Sequence, residues 1–209
     1  MLRSKIAVML LAGLALIALT GCQKREIKNS DAKGKNIICF GDSITFGYGA
    51  QAGEDYPSAL AKIVTLPVIN KGIDADTSSE ALKRVESDVL DRDPFLVIVE
   101  FCGNDFLRKV PLEVTLENIG RIIDMIQERG AMVAVADISA GLFLAQYRKA
   151  LGKLAEEKGA IFIPHLLGGI ITNPSMKSDF LHPNANGYKI IAWRVYRSIS
   201  PYLKRGRIN

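Results

Sequence analysis

Histidine and cysteine are scarce in this 209-residue chain, which holds His165 and His182 and three cysteines, Cys22, Cys39 and Cys102. Neither histidine pairs with a nearby cysteine, so the ligand spacing of a zinc site is missing and no metal is expected. Three cysteines make no disulfide framework. Cys39 and Cys102 end apolar runs, which favours buried free thiols, although one bridge between them stays open for an exported chain. Charge of one sign is in equally short supply. The formal net charge is +5, and setting aside Arg3 and Lys5 leaves 25 basic against 22 acidic residues, or +3. That excess is too small, and too scattered, to argue for nucleic acid. Its one cluster, Lys204-Arg205-Gly206-Arg207, reads as a solvated terminus with some capacity to touch anionic lipid. Internal repeats and low-complexity stretches are absent. The G-x-S-x-G elbow of the common α/β-hydrolases is missing as well. Residues 47–52 fit G-x-G-x-x-A only superficially. They begin too far beyond the preceding strand, and the next strand ends in Asn70 rather than an acid, so no dinucleotide cofactor is expected. Ser30 and Lys33 match S-x-x-K, but no Ser-Asp-Asn or Lys-Thr-Gly follows.

What is present starts at the N-terminus. Arg3 and Lys5 precede an apolar stretch over 6–19, which is short for a membrane span but suits a signal peptide. It ends in Leu19-Thr20-Gly21-Cys22, which resembles a bacterial lipobox, with cleavage before Cys22 and lipidation of its thiol. A plain signal peptide or short anchor is the competing reading. Residues 1–21 are therefore expected to be a leader and 22–35, polar and without periodicity, a tether. A single domain over 36–209 follows.

Within it, continuous Val/Ile-rich runs predict strands at 36–40, 66–70, 95–101, 131–136 and 160–163, each buried on both faces. Amphipathic stretches predict helices at 55–64, 77–90, 115–129, 141–158 and 186–200. The alternation implies an α/β fold: a three-layer α/β/α, flavodoxin-like five-stranded parallel sheet in the order 2-1-3-4-5. In such sheets, chemistry collects beyond the carboxyl ends of the strands. Four blocks lie there: Gly41-Asp42-Ser43, Asn70 to Thr77, Gly103-Asn104-Asp105, and Asp179-Phe180-Leu181-His182-Pro183.

In this order and spacing the four blocks resemble the SGNH or GDSL hydrolases, over about 36–203. Phe46-Gly47-Tyr48-Gly49, Tyr56-Pro57 and Gly103 to Arg108 look like the branch of bacterial thioesterases, lysophospholipases and arylesterases. The residues support the chemistry independently. A serine hydroxyl needs a base, a histidine can supply it, and a carboxylate can fix the histidine tautomer. Ser43 is thus the candidate nucleophile, His182 the base, and Asp179, three residues earlier, its partner. The competing role for His182 is that of a helix cap. His165 is expected to be structural, Asp42 to hydrogen-bond within its loop, and Asp105 to hold the loop beside Asn104.

The resemblance implies three oxyanion donors: the Ser43 backbone N–H, a backbone N–H of the second block, and the Asn104 amide. In the second block Asp74-Ala75-Asp76-Thr77 stands where that branch has Ser-Gly-Asp-Thr, so Ala75 occupies the glycine donor position. If that position needs positive φ, alanine strains the loop. Gly72 is the alternative donor. The expected function is cleavage of carboxylic esters or thioesters of acyl groups. A carbohydrate O-acetyl esterase and a non-catalytic surface lipoprotein are the alternatives. Leu107, Val110, Leu142 and Phe143 are candidates for an acyl groove, or equally for helix packing. The substrate is a small acyl ester or lipid. The chain is expected in the cell envelope, held to the membrane by lipid on Cys22. In Gram-negative sorting, Gln23 after the cysteine points to the outer membrane.

Overall fold

The computed structural model describes residues 26–142 and 144–203. The leader, Cys22, Phe143 and the basic tail from Lys204 lie outside the described residues, and with them the expectations of cleavage and lipidation. Five strands form one parallel sheet in the order β2-β1-β3-β4-β5. They are β1 (Asn36–Gly41), β2 (Val68–Gly72), β3 (Pro94–Glu100), β4 (Met132–Ala136) and β5 (Ile161–Ile163). β1 and β3 are central, pairing Ile37 with Leu96 and Phe40 with Val99. Every residue of β3 and β4 is buried, as continuous apolar runs require in a sheet covered on both faces.

Among the described residues seven α-helices flank it: α1 (Ser43–Phe46), α2 (Tyr56–Ala61), α3 (Ser78–Asp88), α4 (Gly103–Leu107), α5 (Leu112–Glu128), α6 (Ala145–Glu157) and α7 (Ala185–Leu203). α3, α5 and α6 pack side by side, and α2 packs on α7. The long α5 buries Ile119, Ile122, Ile123 and Ile126 on one face, each contributing roughly 1.5–3 kcal/mol of burial. α3 begins with a capping box: the Glu80 carboxylate accepts from the Thr77 N–H at 2.9 Å, and Thr77 Oγ1 accepts from the Glu80 N–H at 3.4 Å.

Two stretches differ from expectation. α1 and α4 are too short to carry a helical period; α1 forms with both ends satisfied, while α4 has no side-chain cap and is held through Asp105. Asp42 Oδ1 accepts from the Ile44 N–H at 3.1 Å, and Gly47 closes α1 with a φ of +95°. The expected tether is docked from Lys28 onward. The Lys28 N–H donates to Gly159 O, and the Asn29 side chain donates to Gln127 O and Ala131 O. A remote side chain thereby adds a bond to carbonyls around the end of α5, where the intrahelical ladder runs out.

The bridge left open between Cys39 and Cys102 is absent, and both thiols are free and buried. Cys39 stands opposite Ile98. Cys102 lies four residues further along, about 13 Å away at strand spacing, which no disulfide spans.

Candidate active site

The carboxyl ends of β1, β2 and β3 bring the first three blocks together, and a loop before α7 brings the fourth. That loop is a turn built by Asp179. Its Oδ1 accepts from the Leu181 and His182 N–H groups, each at 2.8 Å, while the Ser178 N–H donates to His182 O. The turn aims the imidazole back over its own carboxylate, with His182 Nδ1 2.8 Å from Asp179 Oδ2. A carboxylate only accepts, so Nδ1 carries the proton and Nε2 is left as an acceptor. Ser43 Oγ stands 3.1 Å from that Nε2, across 139 residues of chain. Burial works to raise the Asp179 carboxyl, but the bonds from His182 and Leu181 outweigh it and hold it below its usual range.

Two features seat the histidine. The Tyr48 ring lies 4.4 Å from the imidazole, and Tyr188 Oη anchors Tyr48 O at 2.8 Å. Gly49, with a φ of +85°, passes so close to Ser178 that a β-carbon there would collide with its hydroxyl. The helix after the turn opens at Ala185, where Asn184 Oδ1 accepts from the Asn186 and Gly187 N–H groups. His182 is not its cap.

Ser43, Ala75, Asn104 and His182 line one cavity of about 140 Å³, walled on its apolar side by Ile44, Leu107, Ile138, Leu167 and Leu181. Of the suggested groove residues Leu107 is among them; Val110 and Leu142 are not, and Leu142 is 94% exposed. Among the described residues, no acceptor faces the Ser43 or Ala75 backbone N–H. The Gly72 N–H, by contrast, donates to Asn70 Oδ1 at 2.9 Å, and Gly72 sits inside β2. Ala75 has a φ of +64°, the strained conformation that a glycine there would adopt freely. Asn104 Nδ2 donates to Asp76 O at 2.9 Å and to Asp42 Oδ2 at 3.2 Å. Both bonds of the Asn104 amide are thus made within the protein.

Asp105 accepts from the Ser78 N–H and hydroxyl and from Thr115 Oγ1, tying α3 and α5 to the Asn104 loop. His165 lies apart: its N–H donates to Asp137 Oδ2, and its ring is 3.4 Å from Arg148. Beneath the nucleophile, Asp42 and Glu100 are buried together. Burial raises Asp42 to about 6, against the bond from the Ile44 N–H. Burial, and then the charge of Asp42, push Glu100 well above the usual carboxylate range. Sequence reasoning passed over Glu100, although a lone carboxylate closing an apolar strand is a visible signal. It also passed over Tyr48 as the histidine's neighbour. Among the described residues, no group of three His, Cys, Asp or Glu side chains stands ready to hold a metal ion.

The model of the GDSL-like lipase/acylhydrolase family matches residues 39–190. The chain is 28% identical over 180 residues to an arylesterase of Vibrio mimicus, covering 81% of this chain and 90% of that one. It is 26% identical over 178 residues to thioesterase 1/protease 1/lysophospholipase L1 of Escherichia coli, covering 81% and 86%. The crystal structure of the esterase EstA from Pseudoalteromonas sp., inhibited by monoethylphosphonate, superposes with a TM-score of 0.72 at 26% identity, covering 81% and 98%. The family match spans most of the chain and the parallel sheet agrees with it, so the protein belongs to the GDSL-like lipase/acylhydrolase family and is a carboxylic ester hydrolase of the GDSL/SGNH type.

Proposed function

We propose that the protein cleaves acyl esters, and thioesters of the same acyl groups, through a Ser43–His182–Asp179 triad. The observation that carries this reading is the unbroken hydrogen-bonded chain from Ser43 Oγ through the imidazole to Asp179, opening on a cavity. Ser43 Oγ gives its proton to His182 Nε2 as it attacks the acyl carbonyl carbon, and Asp179 steadies the imidazolium. The carbonyl oxygen becomes an oxyanion, held by the Ser43 and Ala75 N–H groups and by one Asn104 amide proton released from its resting acceptor. Collapse breaks the bond to the leaving alcohol or thiol, which takes the proton back from His182. Water, deprotonated by the same base, then frees the acid and restores Ser43.

At about 140 Å³ the cavity is small beside ligand pockets of roughly 300–1,000 Å³. That favours a short acyl group inside, with longer chains leaving across Leu107. The same smallness favours a second reading, removal of acetyl groups from cell-wall or capsular sugars. Similarity to proteins called arylesterase and thioesterase supports the first. The Leu19-Thr20-Gly21-Cys22 pattern supports lipidation of Cys22, and hence a lipid-anchored place in the cell envelope. A panel of nitrophenyl esters and acyl thioesters of rising chain length, run beside acetylated xylan, tests the substrate. The expected result is the highest kcat/KM for short acyl esters and none in Ser43→Ala. Exclusive activity on the polysaccharide favours the second reading, and no hydrolysis anywhere sinks both.

A further inference from the structure

Glu100 closes β3 beneath the Ser43 turn and is fully inaccessible to solvent. Its Oε2 accepts from Thr45 Oγ1 at 2.8 Å and from the Asp42 N–H at 3.4 Å. Gly41 permits this approach, because a β-carbon there would strike both Thr45 Oγ1 and Glu100 Oε2. The other oxygen, Oε1, is buried and meets no donor among the described residues. An ionised carboxylate left in that state is strongly disfavoured, and the usual resolution is that the group keeps its proton. A carboxylic acid O–H then needs an acceptor; the Asp42 N–H already reaches Oε2, and the Asp42 carboxyl is the neighbouring charge that acts on Glu100. Asp42 is already committed on its other sides: Oδ1 receives the Ile44 N–H and Oδ2 receives the Asn104 amide.

We propose that Glu100 is a protonated positioning residue whose O–H donates to the Asp42 carboxylate and thereby sets the Asn104 amide for the oxyanion. The inference rests on the reading of Asn104 as an oxyanion donor. The burial-driven rise of both carboxyls, Glu100 above Asp42, agrees with one proton held on Glu100 and one charge on Asp42. Around the pair stand Tyr56, Cys102, Tyr188 and Asp105, with His182 on the Asp42 side. None of these is a fixed cation that would hold Glu100 ionised. With both carboxyls ionised their repulsion would displace Asp42. With both protonated Asp42 would lose its hold on the Asn104 amide.

Infrared difference spectroscopy of wild type against E100Q at neutral pH reads the proton directly. The expected result is the C=O stretch of a protonated carboxylic acid, lost in E100Q; a carboxylate band in its place overturns the proposal. Kinetics give the second readout. E100L is expected to lower kcat roughly 30-fold or more with KM nearly unchanged, a fraction of the loss typical for deleting a donor. E100Q, whose amide can still donate to Asp42, should regain most of that loss. Equal losses in E100Q and E100L, or a full kcat in E100L, contradict it. Should E100L fail to fold, the infrared band and the E100Q kinetics still decide. An N104A variant with undiminished kcat would instead sink the oxyanion reading, without touching the infrared band.

Discussion

Ala75 holds a φ of +64°, a left-handed backbone that costs an L side chain roughly 1–2 kcal/mol. Arg108 steadies this strained loop by donating to Ala75 O at 2.7 Å. Ala75→Gly removes the clash but adds freedom to the unfolded chain, so a net gain of about 0.5–1 kcal/mol is expected in urea unfolding. A loss of stability would mean that the loop is not strained. Glycine in this family position was expected from the motif itself, so the strain was legible before the fold. Ser43, Asp179 and His182 were equally legible, because block order and the three-residue step from Asp179 to His182 are written in the chain. Glu100 was visible as a lone carboxylate ending an apolar run, but its role was not: that comes from its contact with Thr45 of α1, 55 residues earlier, which no local pattern encodes.

Helix α3 carries the clearest tie between elements. The Arg84 guanidinium donates to Asp76 Oδ2 at 2.7 Å, Asp88 Oδ2 at 2.9 Å, Lys71 O at 3.0 Å and Gly41 O at 3.2 Å. It also lies 4.4 Å over the Phe40 ring. One planar fork thus joins α3 to the ends of β1 and β2 and to Asp76, whose carbonyl receives Asn104. Arg84→Ala strands the Asp76 carboxylate, leaves Asp88 with Lys71 alone, and is expected to cost about 3 kcal/mol. Arg84→Lys should recover little of it, since a point charge cannot make four directed bonds. Thermal unfolding of both variants checks this, and a full rescue by lysine would count against the geometric account. The five strands and five long helices were legible from apolar runs and periods. α1 and α4 were not, because a cap forms the first and tertiary contacts through Asp105 hold the second, rather than propensity. The docking of residues 28–35 was hidden for a related reason: polar residues free of periodicity look alike whether solvated or bonded to distant carbonyls.

For the whole molecule, the buried carboxyl pair sets a sign for stability against pH. Glu100 and Asp42 are raised in the folded state, so folding favours their protonated forms. The stability they contribute is complete below the unfolded carboxylate range and is lost as pH rises, for Asp42 through about 6 and for Glu100 beyond it. Asp179, held low, acts only in the acid limb: its contribution is lost as pH falls below the usual carboxylate range. Unfolding free energy should therefore fall as pH rises through about 6 and beyond, and E100Q should flatten that slope. A slope unchanged in E100Q would show that Glu100 does not titrate as its burial demands. The strand order was legible at this scale too, because five parallel strands linked by helices leave few ways to cover both faces, although the edge strand β2 is only partly buried.

The account stands on an activated serine at the rim of the sheet. Its most direct measurement is intact-mass and peptide mapping after exposure to a fluorophosphonate. A single adduct on the Ser43 peptide, absent in Ser43→Ala and slowed by about a thousandfold or more in His182→Ala, is the predicted result. An unmodified wild type, or an adduct that persists in Ser43→Ala, would contradict it.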